Sequence, residues 1–407
     1  MCADELNIGL ILPNIAAFSG GMERTLRLIE NSAAASIRYT CLLPQDGVRN
    51  AEVTRQLEHF ASRGILDLMP LTSERGMERK FDAIAIPTEY WWGAWKRGRS
   101  AGLRGPYGFD FHQLPYIGTL DVLKIAGIRN PSFPDLVKVP ALLQRMRADS
   151  FLTATVETAA SLVSIHALQR LNAGRVLALT SVTAKNFRSL GFTDSLFVPP
   201  CPCGIARDPV EQTSESPAVP DFDAVYVGRL HPEKGFLDLP RIVASMRKKL
   251  GREPSVAVCG PADSARFAER FTELVALFGV ERNLHLLGRL PRPDLYRTIR
   301  RSAVLIYPSY VDAFSLTVLE SLCLGVPVAA YDIDALEFIW GRRKGVYLAP
   351  AGNADALASL ARDILEEPRL SDARQAARSE SASLLGEYTW EGAVAGERKF
   401  YELVCED

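Results

Sequence analysis

Short apolar runs alternate with longer amphipathic stretches along most of this chain. Asn7 to Leu12 predicts a first strand, Ser19-Gly20-Gly21 a turn, and Met22 to about Ser36 a helix. Phe81 to Ile86 and Tyr107 to His112 predict further strands. Val176 to Ser181 predicts another, leading into a helix with Phe187 and Leu190. A second alternation begins with Asp223 to Val227 and continues through Ser255 to Cys259, Leu284 to Leu287 and Ala303 to Tyr307. Strands this short, separated by helical patterns, indicate an α/β chain with parallel sheets. Between the two series lies PPCPCGIARDPVEQTSESPAVP, from Pro199 to Pro220. It is rich in Pro, Ser and acidic residues and reads as a linker. The expected division is therefore a domain over 1–200 and a second over 201–385, with no short-period repeat.

The densest stretch runs from Tyr307 to Tyr331, YPSYVDAFSLTVLESLCLGVPVAAY. A helix beginning near Ser315 puts Leu316, Leu319 and Cys323 on one face. Glu320 lies four residues after Leu316, inside that apolar stripe, and a buried carboxylate needs a partner. Gly325 closes the helix, Pro327 prevents its continuation, and Val326 to Tyr331 reads as a buried strand. Asp312 lies eight residues before Glu320, across the loop–helix junction. Upstream, VYVGRLHPEKGF ends a strand at Val227 and turns at Gly228, with Arg229 and Lys234 following before Gly235. Cations and backbone N–H groups beyond the carboxyl end of a strand suit a diphosphate. Arginine grips two oxygens together, whereas lysine acts as a mobile point charge.

Taken together, these segments resemble retaining glycosyltransferases of family 4, the glycosyl transferases group 1. The pattern there is roughly P-S-x-x-E-G-F-G-L-x-x-L-E-A-x-x-x-G-x-P-V, with an upstream G-R-L-x-x-x-K-G. This chain keeps Pro308, Ser309, Phe314, Leu316, Leu319, Glu320, Gly325, Pro327 and Val328. It departs with Asp312 for the first Glu and with Ala313 and Ser315 for the two Gly. The resemblance is close over 223–335, loose in the first half and poor over 40–150. It implies a GT-B fold, two Rossmann-like domains facing across a cleft, with a C-terminal helix over 386–407 crossing back to the first domain. Tyr388 to Val404, with Trp390 as an anchor, fits that helix.

The same resemblance implies the roles. Arg229 and Lys234 hold the phosphates of a nucleotide-diphosphate sugar, a co-substrate rather than a bound cofactor, and stabilise the leaving diphosphate. Glu320 accepts from the ribose hydroxyls, since one carboxylate serves two donors. Asp312 holds hydroxyls of the donor sugar, with about 1.5 Å less reach than Glu. Backbone N–H groups from Ala313 through Phe314 and Ser315 to Leu316 face sugar and phosphate, with Ser315 as a helix cap. Gly20 and Gly21 approach the donor phosphate, with Arg24 either assisting or lying on the surface. His112, at a strand end, lines the cleft as a hydroxyl partner or proton carrier. His166 and His231 are weaker candidates. The family pattern requires no metal, and Asp332 and Asp334 read as loop residues.

Composition narrows the alternatives. The 407 residues are 47% hydrophobic and 23% charged, ordinary for a soluble globular protein of two or three domains. A net charge of -1 argues against a globally basic nucleic-acid binder. Residues 1–200 carry 22 basic and 18 acidic side chains, +4, which leaves -5 for the rest. Seven Cys show no metal-ligand spacing and read as free buried thiols of a reducing cytosol. MCADELNIGLIL does not read as a signal peptide, and no apolar run reaches membrane-spanning length. Tyr90 to Gly105 interleaves three Trp with Lys96, Arg97, Arg99 and Arg104. It suits a lipid headgroup layer, an acceptor groove or an ordinary amphipathic helix. The expectation is a cytoplasmic enzyme, with peripheral contact to the inner membrane face through 90–105 left open. Its acceptor is a sugar, a lipid-linked sugar or another glycoconjugate. Two alternatives remain: a degenerate, non-catalytic GT-B partner subunit and a sugar-nucleotide epimerase of the same fold.

Overall fold

The structure, a computed structural model, describes residues 5–12, 20–44, 50–71, 81–87, 91–103, 105–111, 163, 167–168, 174–189, 191–192, 195–207, 210, 220–262 and 264–406. They divide into two compact units. One takes the described residues up to Phe111, those from 163 to Gly204 and those from Tyr388 onward; the other takes those from Ile205 to Glu387.

In the first unit β1 (Leu6–Ile11), α1 (Gly20–Glu30), β2 (Ile37–Pro44), α2 (Ala51–Ser62), β3 (Leu66–Leu71), β4 (Ala83–Ile86), α3 (Trp91–Ser100), β5 (Tyr107–Phe111), β6 (Arg175–Ala178), α4 (Ser181–Ser189) and β7 (Leu196–Phe197) follow in order. The strands form a parallel sheet ordered β3-β2-β1-β4-β5-β6-β7. Helix α1 is shorter than predicted: it ends at Glu30, and Ser32–Ala35 is a separate 3-10 turn. Neither β2 nor β3 is among the strands predicted from sequence. β3 contains Pro70, which a sheet tolerates here because β3 is its edge strand. In α3, Ala94 and Gly98 turn inward, and a Cβ on Gly98 would lie 2.9 Å from Cδ1 of Ile11. Lys96 and Arg99 are exposed.

The second unit contains β8 (Phe222–Val227), α5 (Leu239–Leu250), β9 (Val256–Cys259), α6 (Ala265–Phe278), β10 (Leu284–Gly288), α7 (Arg292–Arg300), β11 (Ser302–Tyr307), α8 (Leu316–Cys323), β12 (Val328–Asp332), β13 (Val346–Pro350), α9 (Ala354–Leu365) and α10 (Arg369–Glu387). Its parallel sheet is ordered β10-β9-β8-β11-β12-β13. The chain steps outward from β8 to β10, then returns to lay β11 against β8, pairing Leu305 with Val225. At such a reversal the loops beyond the two central strands diverge and leave a crevice, where α/β sheets bind ligands. The two motifs singled out in sequence are those two loops.

Helix α8 is buried almost all round: Val318, Leu319 and Leu322 are fully enclosed, and Glu320 is 7% exposed. The expected single apolar stripe is therefore too narrow, and Leu316, placed on it, is only half-buried. Gly325 ends the helix at φ +73°, and Val326 N–H reaches back to the Ser321 carbonyl at 2.9 Å.

Helix α11 (Trp390–Cys405) belongs to the first unit. Thr389 caps it, accepting from Gly392 N–H at 3.0 Å. Phe400 stacks on Phe197, and Tyr401 meets Tyr39 edge-on. The start of the presumed linker is not a solvated tether. Cys201 to Gly204 are buried, and a Cβ on Gly204 would fall 2.3 Å from the Trp390 nitrogen at the start of α11. Cys41, Cys201, Cys203, Cys259 and Cys323 are free and buried.

Arg24 is neither a surface residue nor an open cation. It is 1% exposed and donates to Asp110 at 2.7 Å, to Glu397 at 2.6 Å and to the Pro202 carbonyl at 2.7 Å. Burial works against its charge, but the two carboxylates outweigh burial and raise its pKa. Burial also raises the pKa of Glu397, against the pull of Arg24. Arg24→Met strands two buried carboxylates and should cost about 3–5 kcal/mol in urea unfolding. A loss below about 1 kcal/mol would show that α11 is held by its apolar face alone.

Candidate functional site

The loop after β8 is fixed from below by a strand residue. Tyr226 hydroxyl lies 3.0 Å from the Arg229 carbonyl and 3.2 Å from that of Lys234, bridging both ends of the turn. Pro232–Lys234 forms one 3-10 turn, with His231 Nδ1 accepting from Glu233 N–H at 3.4 Å. Gly235 then takes φ +71°, and an added Cβ would lie 1.9 Å from the Pro308 carbonyl oxygen. Only glycine permits this approach, which docks the first loop on the second. The docking continues with Tyr310 N–H donating to the Glu233 carbonyl at 2.8 Å and Ser309 Oγ at 3.2 Å.

Asp312 is the hub of the second loop. Its Oδ1 accepts from the N–H groups of Ala313 (2.8 Å), Phe314 (3.2 Å) and Ser315 (3.0 Å). Its Oδ2 accepts from Lys234 Nζ at 2.9 Å and from the Tyr307 hydroxyl. Lys234 also donates to the Val311 carbonyl at 3.1 Å, so two of its three N–H bonds are committed. Burial alone would raise the Asp312 pKa. The Lys234 ammonium and the hydrogen bonds from Tyr307, Lys234 and Phe314 overcome it and hold the Asp312 carboxyl below the ordinary carboxylate range. Burial and the Asp312 charge push the Tyr307 hydroxyl well above its ordinary range.

This geometry corrects two expectations. The N–H groups of Ala313, Phe314 and Ser315 are turned onto Asp312 rather than held open. Ser315 does not cap α8 with its side chain, a role filled by the Asp312 carboxylate. Ser315 instead sits at φ +70°, ψ +77°, the left-handed conformation natural to a glycine. The serine thus keeps the backbone shape of the glycine it replaces, at a steric cost.

Glu320 has the partner that its burial demands. Its Oε1 accepts from Arg292 Nη1 at 2.6 Å and from Tyr296 hydroxyl at 3.0 Å, both from α7. Burial, then the Glu320 charge, raises the Tyr296 pKa. Arg292 and Tyr296 were not singled out in sequence; the helical i, i+4 spacing of a cation and a phenol was the available signal. Trp340 was also missed. Its indole N–H donates to the Phe314 carbonyl and its ring lies 5.3 Å from that of Phe314. On the far side, Asp238 Oδ2 accepts from Tyr310 and, at 2.9 Å, from Tyr331. Burial raises the Asp238 pKa despite those bonds.

The structure thus brings Lys234, Asp312, Ala313, Phe314, Ser315 and Glu320 onto three adjoining segments of the second unit, with half-buried Arg229 in the same turn as Lys234. Gly20 and Gly21 form the first turn of α1 in the first unit. His112 and His166 lie outside the described residues, as do Tyr90 and Arg104. Among the described residues no His, Cys, Asp and Glu side chains group as a metal site. No described helix is long and apolar enough to cross a membrane.

Residues 211–381 match the family described as glycosyl transferases group 1. That span contains both loops and α8. A 2-deoxystreptamine N-acetyl-D-glucosaminyltransferase of Streptomyces fradiae is 29% identical over 231 residues, 55% of this chain and 53% of that protein. The chain therefore spans about half the length of this curated relative. Among solved structures, a sucrose-phosphate synthase from Thermosynechococcus elongatus superposes with a TM-score of 0.62 at 18% identity, covering 98% of this chain and 99% of that one. HepE of Anabaena in complex with UDP-glucose gives 0.63 at 13% identity, covering 99% and 100%. At these identities the likeness is one of fold: an α/β chain of two Rossmann-like domains, the GT-B class.

Ser315→Gly should raise stability by about 1 kcal/mol by relieving the left-handed strain, read as an increase in melting temperature. An unchanged or lower value would show that the Ser315 side chain contributes more than its backbone costs. Acid dependence follows from the sign of the Asp312 shift. A depressed carboxylate contributes its stability above its unfolded value and loses it as pH falls through the folded one. Amide protection of Ala313 to Ser315 in hydrogen exchange should persist at about pH 4 and fall only below it. Loss already at about pH 5 would contradict the pairing with Lys234.

Proposed function

We propose that the chain is a retaining glycosyltransferase that moves a sugar from a nucleotide-diphosphate sugar to a sugar, lipid-linked or other glycoconjugate acceptor. One observation carries this reading. The β8–β11 reversal places the cationic turn with Arg229 and Lys234 beside the helix that bears Glu320, inside the stretch that matches glycosyl transferases group 1. Arg229 and Lys234 take the diphosphate, and the uncommitted N–H of Lys234 points to an anion there. Glu320, held in orientation by Arg292 and Tyr296, takes the ribose hydroxyls. As the bond from the anomeric carbon to the diphosphate breaks, the electron pair leaves on the phosphate oxygen, where Lys234 and Arg229 stabilise it. The acceptor hydroxyl attacks from the same face and gives its proton to the departing phosphate oxygen.

Asp312 takes a different part from the one expected of it. With both oxygens engaged, it positions Lys234 and the first turn of α8. UDP-sugars are the first donors to try, because HepE, of the same fold, is a UDP-glucose complex.

Lys234→Ala should lower kcat/KM by about 10²–10³, the cost of one lost donor to a developing oxyanion. Glu320→Gln should weaken donor binding while the chain stays folded. Calorimetry with UDP-, GDP- and ADP-sugars checks both. Full activity in both variants would sink the site. Failure of every donor to bind the unaltered chain would point to a non-catalytic partner subunit.

A further inference from the structure

A second cluster of cations lies elsewhere in the second unit. Helix α10 carries Arg374 and Arg378 one turn apart, and Arg300 closes α7. Arg374 is 7% exposed, and its Nη2 donates to the Arg300 carbonyl at 3.0 Å. Arg300 Nη2 donates to the Val210 carbonyl at 3.1 Å. The Nε–H groups of Arg300 and Arg374 are both buried with no acceptor in reach. Arg378 is exposed, and its stem lies over Gly325 at the end of α8, where an added Cβ would meet its Cγ at 2.7 Å. Burial, then the neighbouring arginines, lowers the pKa of Arg300 and of Arg374.

Among the described residues no carboxylate pairs with any of the three. Glu380, two residues beyond Arg378, is taken by Arg343 at 3.4 Å and by Lys344 N–H at 3.3 Å. Buried N–H groups without acceptors cost stability, and so do crowded like charges. A tetrahedral oxyanion relieves both: it offers several acceptor oxygens and fits the guanidinium fork. We propose that Arg300, Arg374 and Arg378 form a binding site for a phosphate-class oxyanion, entered past the exposed Arg378. The group recognised is a phosphoryl group, carried by a soluble phosphate or by a lipid headgroup. The site stands whether or not the chain transfers sugars.

The test is thermal unfolding of the full chain in increasing inorganic phosphate, against sodium chloride at matched ionic strength. Phosphate should raise the melting temperature saturably where chloride does not. Arg378→Ala and Arg374→Gln should each weaken the apparent affinity by about tenfold or more, the loss of one charge-assisted contact. Lys234→Ala should leave the response intact, which separates this site from the turn after β8. Cosedimentation with phosphatidic acid vesicles, lost in Arg378→Ala, would assign the phosphoryl group to a lipid; a response to free phosphate alone would assign it to a soluble compound. Equal shifts in phosphate and chloride would overturn the proposal. So would an unchanged response in Arg378→Ala, whose exposed position leaves folding intact, or loss of the response in Lys234→Ala.

Discussion

The carboxylate of Asp312 holds together what the sheet merely brings near. One oxygen gathers three amides at the start of α8, and the other takes Lys234 and Tyr307. Those five donors come from the end of β11, the turn after β8 and the loop that leads into α8. The unfavourable burial of a charge is offset because every neighbour is a donor. The position of Lys234, the left-handed twist at Ser315 and the course of α8 down to Glu320 all follow from that arrangement.

Much of this was legible in sequence because local chemistry and global fold agree. Gly228, Gly235, Gly325 and Pro327 punctuate the chain where the backbone turns, and a Glu among apolar neighbours announced a partner. The identity of that partner was not legible: Arg292 and Tyr296 lie 28 and 24 residues away from Glu320 in sequence, and only the packing of α7 on α8 joins them. Asp312 shows the other limit. A loop aspartate four residues before the first residue of a helix can cap it or face a ligand, and residue type does not distinguish the two. Arg24 was misplaced for a similar reason, since its two acids lie 86 and 373 residues away.

Linker chemistry misled where tertiary packing overrode it. The Pro- and Cys-rich start of the stretch after Pro199 has the composition of a tether. It is buried because Gly204 lets the chain pass against α11 and Arg24 captures the Pro202 carbonyl. Composition reports what a segment tolerates, and contacts formed across the chain decide what it does.

Glu397 lies on the last helix yet completes an ion pair with Arg24 of the first. During synthesis, Arg24 and Asp110 emerge long before Glu397 exists. The described residues of the second unit all precede Tyr388, so they are made before the first unit has its own last helix. Domains ordinarily mature in the order they leave the ribosome. Here the first unit cannot complete its core until α11 has been made, because Arg24 until then has only one of its two counter-charges.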